Sequence, residues 1–352
     1  VTVGSMACKV AVLGAGAWGT ALAKVLADKG DDVSLWSRRR DLSDAVNASH
    51  ENARYLPGAT LPASLTSTDD LRGSLDGADM VVFVVPSHAT REVARAAAPH
   101  VRALGRVPVV SATKGIENES LMFMDEVLAE ELGSGASERL AFLSGPSFAK
   151  ELAGKLPTAV VIAGRDEPVR EHVMRRFHTP YLRTYASDDV PGVECGGALK
   201  NVIAIAAGIV DGMGFGHNTR AALITRGLAE IAKVAMARGG SALTLAGLAG
   251  MGDLLLTCTG ELSRNRTVGY ELGKGRKLSD VLAGLGHVAE GVKTARSAHD
   301  LARKLGVDMP ITAEVYSVLY EDKPVEQAVR DLMSRELGHE FDPVAVARAT
   351  LR

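Results

Sequence analysis

Short, continuously apolar runs alternate with segments of helical periodicity over the first half of this chain. Strands are predicted at Val10–Leu13, Asp32–Trp36, Met80–Val85, Val107–Ser111, Leu140–Ser144 and Thr158–Ala163. Helices are predicted at Thr20–Lys29, Arg91–His100, Ser120–Leu132 and Glu167–Phe177. Runs that are apolar at every position are typical of strands covered on both faces of a sheet. The pattern therefore predicts an α/β fold built on a doubly wound parallel sheet.

The pattern changes after about Asp188, where strand signals end and helical periodicity continues. Helical stretches are predicted over Val193–Gly239, Ser241–Ala249, Leu278–Leu285, Lys293–Leu305, Ile311–Tyr320 and Val325–Ser334, with breaks at the glycine clusters Gly212–Gly216, Gly250–Gly252 and Gly284–Gly291. We therefore expect a sheet domain over residues 8–188 and an all-α second domain over residues 189–352. Residues 1–7 are expected to form a disordered leader outside the fold.

Composition restricts the function classes without choosing one. A chain of 352 residues with a net charge of −2 predicts about two domains and gives no reason to expect nucleic acid as a partner. Three widely spaced cysteines argue against disulfides or structural zinc and favour the cytoplasm. We expect neither a secretory signal nor a membrane span, because the apolar run Val202–Val210 is too short.

The most informative local pattern is the glycine turn between the first predicted strand and helix. Its sequence is GAGAWG, in which Gly14, Gly16 and Gly19 have the spacing of a dinucleotide-binding turn. Gly14 suits a tight turn, Gly16 leaves room for a pyrophosphate, and Gly19 allows close packing of helix on strand. Free amides at the helix N-terminus attract phosphate. A Rossmann-type dinucleotide site is predicted, with an ordinary strand-to-helix turn as the alternative.

The end of the second predicted strand bears on the choice of cofactor. An acidic residue there binds the ribose 2′-hydroxyl of NAD, whereas this chain has Arg38, Arg39 and Arg40. Guanidinium groups can bind a 2′-phosphate bidentately, which favours NADP(H) over NAD(H). Asp41 keeps NAD(H) open, and a solvated basic loop is the other interpretation.

Polar residues follow the later strands and one of the helices. Lys114 comes just after Val107–Ser111, while Gly145 and Ser147 follow Leu140–Ser144, so their loops can face one cleft or be plain connections. Lys200 follows two glycines by three and four positions on a helix. Those glycines permit the close approach of a ligand to the helix beside Lys200. Alternatively, they permit close packing of another helix, with the Lys200 side chain extending to water.

Further polar residues lie in the second half. Asp253 lies between glycines and an apolar run, and Glu290 is predicted to lie in a loop. Ser263, Arg264 and Asn265 form a compact set of donors that can hold a phosphate, or else a capped helix start. Cys195 and Cys258 are interpreted as small buried apolar residues.

Taken together, these segments resemble the NAD(P)-dependent sn-glycerol-3-phosphate dehydrogenases, in particular the bacterial type. The matching motifs occur in the family's order over nearly the whole chain. They are GAGAWGTALA, SATKGIE, LSGPSFAKE, ECGGALKNVIAIAAGI, GMGDLLLTCTG, SRNRTVG and VAEGVKTA.

The resemblance implies reversible reduction of dihydroxyacetone phosphate to sn-glycerol 3-phosphate, which supplies phospholipid synthesis. It implies that Lys200 is the general acid and base and that Lys114 and Asp253 position it. The substrate would be a small phosphorylated ketone or alcohol, no metal would be needed, and a homodimer is expected. The implied substrate-binding residues are Lys114, Gly145, Ser147, Lys200, Asp253, Ser263, Arg264 and Asn265. The implied cofactor-binding residues are Gly14, Gly16, Ala17, Trp18, Gly19, Arg38, Arg39, Tyr55, Lys114, Ala149, Arg264, Val288 and Glu290.

Two other classes of function remain open. One is a dehydrogenase of the same two-domain plan that acts on a hydroxy acid or a sugar acid, which would not need the SRN phosphate site. The other is a nucleotide-sensing protein without turnover, which would be expected to lack Lys200 or Asp253, although both are present here.

Overall fold

A single eight-stranded sheet organises the first half of the computed structural model, which describes residues 7–285, 289–336 and 340. The strands lie in the order β3-β2-β1-β4-β5-β6-β7-β8. Their bounds are β1 Lys9–Leu13, β2 Asp32–Trp36, β3 Leu65–Thr68, β4 Met80–Phe83, β5 Val109–Ser111, β6 Leu140–Ser144, β7 Thr158–Ala163 and β8 Leu182–Ser187. The predicted α/β fold is confirmed, and β3 and β8 are strands that the sequence pattern missed.

The sheet is mostly, not wholly, parallel. Neighbours from β3 to β6 run parallel, β7 runs antiparallel to β6, and β8 returns parallel to β7. The predicted doubly wound parallel sheet therefore has one antiparallel junction, between β6 and β7. The link between these strands contains only the short helix α7, Ala149–Ala153, whereas a parallel crossover usually contains a full α-helix that returns along the length of the sheet.

Helices cover both faces of this sheet, and two separate apolar clusters fill the layers between. Both faces of the central strands are therefore buried, as their continuous apolar sequence predicts. Besides α7, the helices are α1 Ala17–Asp28, α2 Arg40–Ser49, α3 Leu71–Leu75, α4 Ser87–Ala103, α5 Met124–Leu132, α6 Ala136–Arg139 and α8 Glu167–Phe177.

The rest of the described chain is helical and is arranged around one central helix, α9, which spans Val190–Gly212. Asp189 caps its N-terminus by accepting a hydrogen bond from the Gly192 amide, and Pro191 lies in the first turn. Around it lie α10 His217–Ala237, α11 Ala242–Leu245, a π-helical turn at Leu248–Gly252, α12 Asp253–Thr259, α13 Arg264–Gly273, α14 Leu278–Leu285, α15 Glu290–Leu305, α16 Pro310–Tyr320 and α17 Val325–Met333.

The helical stretch Val193–Gly239 forms two helices, α9 and α10, which are separated as expected by the glycine-rich turn after Gly212. Two other predictions for this region need correction. Ser241–Ala249 is helical only over the four residues of α11 before the π-helical turn. The statement that no apolar segment reaches membrane-spanning length is also wrong. Helix α9 is long and apolar enough by that measure, but its apolar window lies wholly buried inside the protein.

The predicted boundary between residues 188 and 189 falls between β8 and α9. That the two sides are separate domains stays a prediction, since α9 also packs on β6 and β7. Of the predicted leader, residues 1–6 lie outside the described residues, and Ala7 is exposed and has no regular secondary structure.

Candidate active site

A cleft of about 1130 Å³ lies between the glycine turn after β1 and the helices around α9. All the site residues predicted from the sequence line it, except Gly145, which lies just behind, and Val288, which falls outside the described residues. Among the described residues that line it, eight carry a Lys or Arg cation and two, Asp253 and Glu290, carry a carboxylate. A chain with a net charge of −2 thus has a strongly cationic cleft.

The glycine turn fits a dinucleotide pyrophosphate. Gly14 has a φ of +126°, and a Cβ there would lie 2.8 Å from the Val84 carbonyl oxygen. A Cβ on Gly19 would collide with the Gly14 carbonyl oxygen, so helix α1 packs on the turn only because Gly19 lacks one. Gly16 faces open space, and no side chain caps the N-terminus of α1. The amides of that first turn are therefore available to phosphate oxygens.

The arginines that follow β2 differ in their charge partners. Arg39 pairs with Asp41 at 2.5 Å, and Arg40 lies 3.9 Å from Asp44. Arg38 lines the cleft and has no ion pair among the described residues. Asp41 does not line the cleft, and the hydrogen bond from Arg39 lowers the pKa of its carboxyl. Arg38 is therefore the guanidinium of this loop that is available to a ligand.

Three charged side chains meet on the opposite side of the cleft. Asp253, with 2% of its side chain exposed, accepts a hydrogen bond on one carboxylate oxygen from the Lys200 ammonium. Its other oxygen accepts from the Lys114 Nζ at 2.7 Å. Lys114 comes from the loop after β5, Lys200 from α9 and Asp253 from the start of α12, so the sheet and the helices contribute together.

The electrostatics of this cluster are set by burial and by its two cations. Burial lowers the pKa of Lys200 to about 8, because desolvation and the neighbouring Lys114 outweigh the attraction of Asp253. For Asp253, burial acts to raise the pKa of the carboxyl, but the two ammonium groups outweigh it and the net shift is downward. Asp253 is therefore ionised at neutral pH, while Lys200 can hold or release a proton near it.

The two glycines before Lys200 serve different contacts. A Cβ on Gly196 would collide with the Ala249 carbonyl oxygen, so this glycine lets the π-helical turn pack on α9. A Cβ on Gly197 would lie 2.9 Å from the Ser144 hydroxyl oxygen and 3.4 Å from Cγ of Lys114. Lys200 itself is mostly buried, since only 9% of its side chain is exposed. Both glycines therefore permit close packing within the protein, and the close approach of a ligand at this position stays a prediction.

The predicted phosphate-binding residues lie at the start of α13. Ser263 caps this helix by accepting from the Arg266 amide at 3.3 Å, and Arg264 is exposed in the cleft. Asn265 is buried, donates to the Asn201 side-chain oxygen at 2.9 Å and accepts from the Gly291 amide at 2.9 Å. The capped N-terminus of α13 is thus the same place at which Ser263, Arg264 and Asn265 lie together.

Glu290 is the first residue of α15 rather than a loop residue, which corrects the sequence-based expectation. Burial raises the pKa of its carboxyl, against the attraction of Arg264, Lys200 and Lys114. Because a carboxylate at a helix N-terminus attracts backbone amides, this position also favours the start of α15.

The loop after β6 holds Lys114 in place. The Gly145 carbonyl oxygen accepts from Lys114 Nζ at 3.2 Å and from the Ser147 hydroxyl at 3.0 Å. Ser147 lines the cleft, as does Ala149 at the start of α7. Tyr55 lines its outer part and lies under the Arg54 guanidinium, 5.5 Å from the ring centroid.

Several cleft residues were missed by the sequence analysis. Thr257 lies one turn after Asp253 and could have been found by following the helix face from that residue, whereas Asn201, directly after Lys200, has no such signal. Lys293 lines the cleft one turn after Glu290 and could have been found in the same way.

The cysteines and metal-ligating residues offer no other chemistry within the described part of the chain. Burial raises the pKa of both Cys195 and Cys258 to about 12, so neither is a thiolate at neutral pH. The described residues contain no group of three or more His, Cys, Asp or Glu arranged to hold a metal ion.

Comparison with known proteins relates the whole chain to one family. The sequence model described as NAD-dependent glycerol-3-phosphate dehydrogenase N-terminus matches residues 9–169, and its C-terminus counterpart matches residues 189–330. A curated relative from Geobacter sulfurreducens, named glycerol-3-phosphate dehydrogenase, NAD(P)+, is 53% identical over 335 residues, which are 95% of this chain and 99% of the relative.

A relative of the same name from Myxococcus xanthus is 53% identical over 325 residues, which are 92% of this chain and 96% of the relative. The crystal structure of glycerol-3-phosphate dehydrogenase from Coxiella burnetii superposes with a TM-score of 0.89 at 42% identity, covering 94% of this chain and 99% of that one.

Proposed function

The chain belongs to the NAD-dependent glycerol-3-phosphate dehydrogenase family, and we propose that it interconverts dihydroxyacetone phosphate and sn-glycerol 3-phosphate with Lys200 as general acid and base. It is an oxidoreductase that uses a nicotinamide cofactor, and its product is the backbone for phospholipid synthesis. The observation that carries the role of Lys200 is its buried ammonium group, which shares Asp253 with Lys114 inside the dinucleotide cleft.

In the reducing direction the protein must place the substrate carbonyl between the cofactor and a proton donor. The bound nicotinamide supplies the hydride. The Lys200 ammonium donates its proton to the carbonyl oxygen as negative charge develops there. Asp253 keeps the Lys200 side chain directed into the cleft. Lys114 adds a second positive charge near the carbonyl oxygen of the substrate.

In the oxidising direction the same side chain acts as the base. Neutral Lys200 accepts the proton of the substrate hydroxyl, which requires a pKa close to the working pH. Burial lowers the pKa of Lys200 to about 8, so a usable fraction of the neutral amine exists at neutral pH. Its low exposure also keeps bulk water from competing for the proton.

The substrate phosphate is proposed to bind at the start of α13. Arg264 supplies an exposed guanidinium, and Ser263 and Asn265 supply neighbouring polar groups at the helix N-terminus. A helix N-terminus and a guanidinium both favour a phosphate dianion. Gly145 and Ser147 complete the site from the sheet side, with Gly145 acting through its contact with Lys114.

The cofactor is proposed to be NADP(H) in preference to NAD(H). Arg38 is available at the end of β2, and the carboxylate of Asp41 is held by Arg39 rather than directed into the cleft. The pyrophosphate would rest on the amides of the turn from Gly14 to Gly19, with Trp18 and Glu290 nearby in the cleft wall.

We further propose that the enzyme acts in the cytoplasm as a homodimer. Its three cysteines are free and buried, which suits a reducing compartment. Light scattering of the purified chain measures its mass in solution directly. A species of one chain across the accessible concentration range would contradict the dimer.

The role of Lys200 is tested by Lys200→Ala, assayed with dihydroxyacetone phosphate and each nicotinamide cofactor. We expect turnover to fall at least ~100-fold, the usual scale for loss of a general acid, while cofactor binding persists. Lys277→Ala, which removes an exposed lysine outside the cleft, is the matched control and should retain full activity.

Two results would contradict the proposal. Turnover of the Lys200→Ala variant within tenfold of the parent chain would remove Lys200 from the chemistry. Equal activity of the parent chain on an unphosphorylated ketone would instead contradict the phosphate site at Arg264.

A further inference from the structure

The unpaired positive charge at the end of β2 is smaller than the negative charge of a phosphate group that would bind there. Arg39 and Arg40 are each paired with a carboxylate of α2, so Arg38 is the guanidinium of this loop that faces the cleft without an ion pair among the described residues. A phosphate monoester carries a charge of about −1.5 to −2 at neutral pH. One guanidinium therefore balances only part of it.

A second cation comes from the helical half of the molecule. Lys293 lies in the first turn of α15, is exposed and lines the same cleft as Arg38. It makes no ion pair or hydrogen bond with another residue of the described ranges. An exposed lysine in that state retains a full charge that can attract a ligand anion.

Lys293 and Arg38, which line the same cleft, both act electrostatically on His88 at the start of α4. Burial, then the charge of Lys293 and then that of Arg38, lower the pKa of His88. His88 is therefore within electrostatic reach of both cations. Ala89 and Val93, on the same helix, line the cleft as an apolar wall of the kind that holds an adenine ring.

We propose that Lys293 is a specificity-determining residue that binds the 2′-phosphate of NADP(H) together with Arg38. This proposal rests on the proposed nicotinamide-dependent function and adds to the cofactor site a residue from the helical half of the protein. With NADPH, the phosphate lies between two cations that come from the sheet and from the helical half. With NADH, the same two cations have no anion between them, so NADH gains nothing from Lys293.

The test measures dissociation constants rather than activity. Trp18 and Trp36 both line the cleft, so quenching of tryptophan fluorescence reports cofactor binding to the full chain. Lys293→Gln removes the charge but keeps most of the side-chain stem. Lys304→Gln, on an exposed position of the last turn of α15, is the matched control.

We expect Lys293→Gln to raise the dissociation constant of NADPH about tenfold and that of NADH less than twofold, because a charged contact is lost only with NADPH. Lys293→Glu should weaken NADPH further, since it places a like charge beside the phosphate. Lys304→Gln should change neither constant. Adenosine 2′,5′-bisphosphate should follow NADPH, and adenosine 5′-monophosphate should follow NADH.

Three outcomes would overturn the proposal. The first is an equal loss for NADPH and NADH, which would assign Lys293 to the shared pyrophosphate. The second is no loss for either cofactor. The third is a parent chain that binds both cofactors equally. Reduction of dihydroxyacetone phosphate by the parent chain is measured alongside, so failure of the proposed function is seen separately from failure at Lys293.

Discussion

The carboxylate of Asp253 serves two lysines at once. Because Lys200 and Lys114 each bond to a different oxygen, neither ammonium group is fully neutralised. The cluster therefore keeps a net positive charge in a buried place, which suits a carbonyl oxygen that becomes negative during reduction. The same excess charge contributes, after burial, to the low pKa of Lys200.

The two directions of the reaction should show opposite pH dependence. Oxidation requires neutral Lys200, so its kcat/KM should rise with pH and level off above about 8, the pKa of this group. Reduction requires the ammonium form, so its kcat/KM should be level below that pH and fall above it. Initial rates measured in both directions from about pH 6 to about pH 10 would check both curves.

Lys200→Ala provides the comparison for these profiles. Its residual activity should lose the inflection near pH 8, because the titrating group is gone. If the parent enzyme shows no inflection between about pH 7 and 9, Lys200 is not the group whose protonation controls the rate.

Sequence reasoning located the charged residues better than their partners. Lys200 and Asp253 were found because each lies beside glycines in an apolar segment, where a charge needs a reason. That Lys114 shares Asp253 depends on a contact 139 residues apart, which no local pattern encodes. Arg39, which was assigned to the cofactor, lines the cleft, but its hydrogen bond to Asp41 two residues away was not predicted.

At the scale of single elements, the missing side chain at Gly197 leaves a notch in the surface of α9. This notch explains how the two lysines, Lys114 and Lys200, come together. Gly197 presents no side chain towards the loop after β5, so the stem of Lys114 lies against the helix backbone. The Ser144 hydroxyl fills the other side and has no hydrogen-bond partner among the described residues. The notch therefore sets the position of Lys114 relative to Lys200.

Gly197→Ala should lower kcat/KM for dihydroxyacetone phosphate about tenfold, since misplacement of a positioning group by a fraction of an ångström is costly. The melting temperature should not fall with it, because alanine is favoured over glycine in a helix by about 1 kcal/mol. Steady-state kinetics and calorimetry on the same preparation would separate the two effects.

Ser144→Ala offers a matched rescue for this variant. Removing the hydroxyl makes room for the new methyl group, so Ser144→Ala/Gly197→Ala should regain most of the lost activity, while Ser144→Ala alone stays near the parent value. A double variant no better than Gly197→Ala alone would show that the notch does not act through this contact.

Element prediction succeeded where apolar runs were continuous and failed at the edges of the sheet. Asp32–Trp36, Leu140–Ser144 and Thr158–Ala163 were predicted with the bounds observed. β8, Leu182–Ser187, was missed because most of it is partly or fully exposed at an edge, so its sequence lacks a run of buried residues. β3 is four residues long and contains three hydroxyl side chains, which gives too weak a signal.

For the molecule as a whole, charge is distributed unevenly. A net charge of −2 gives no overall positive field, so anion binding depends on locally placed Lys and Arg, and among the described residues eight of these line the cleft against two carboxylates. A cleft lined by one sign of charge focuses the field and accelerates the approach of an anionic ligand.

The association rate of NADPH should therefore fall at least tenfold between about 20 mM and about 500 mM salt. Stopped-flow quenching of Trp18 and Trp36 fluorescence measures this rate. NADH, which has fewer negative charges, should show a shallower dependence. Equal and weak salt dependence for both cofactors would argue against electrostatic attraction by the cleft.

The burial of α9 has a consequence for biosynthesis. Its covering partners α10, α12, α13, α15 and α16 all follow it in the chain, and α13 begins only at Arg264. While a ribosome is still translating those later codons, the long apolar helix α9 has left the exit tunnel without the helices that cover it. A nascent chain arrested before α13 thus exposes an apolar, aggregation-prone surface, of the kind that chaperones bind until translation finishes.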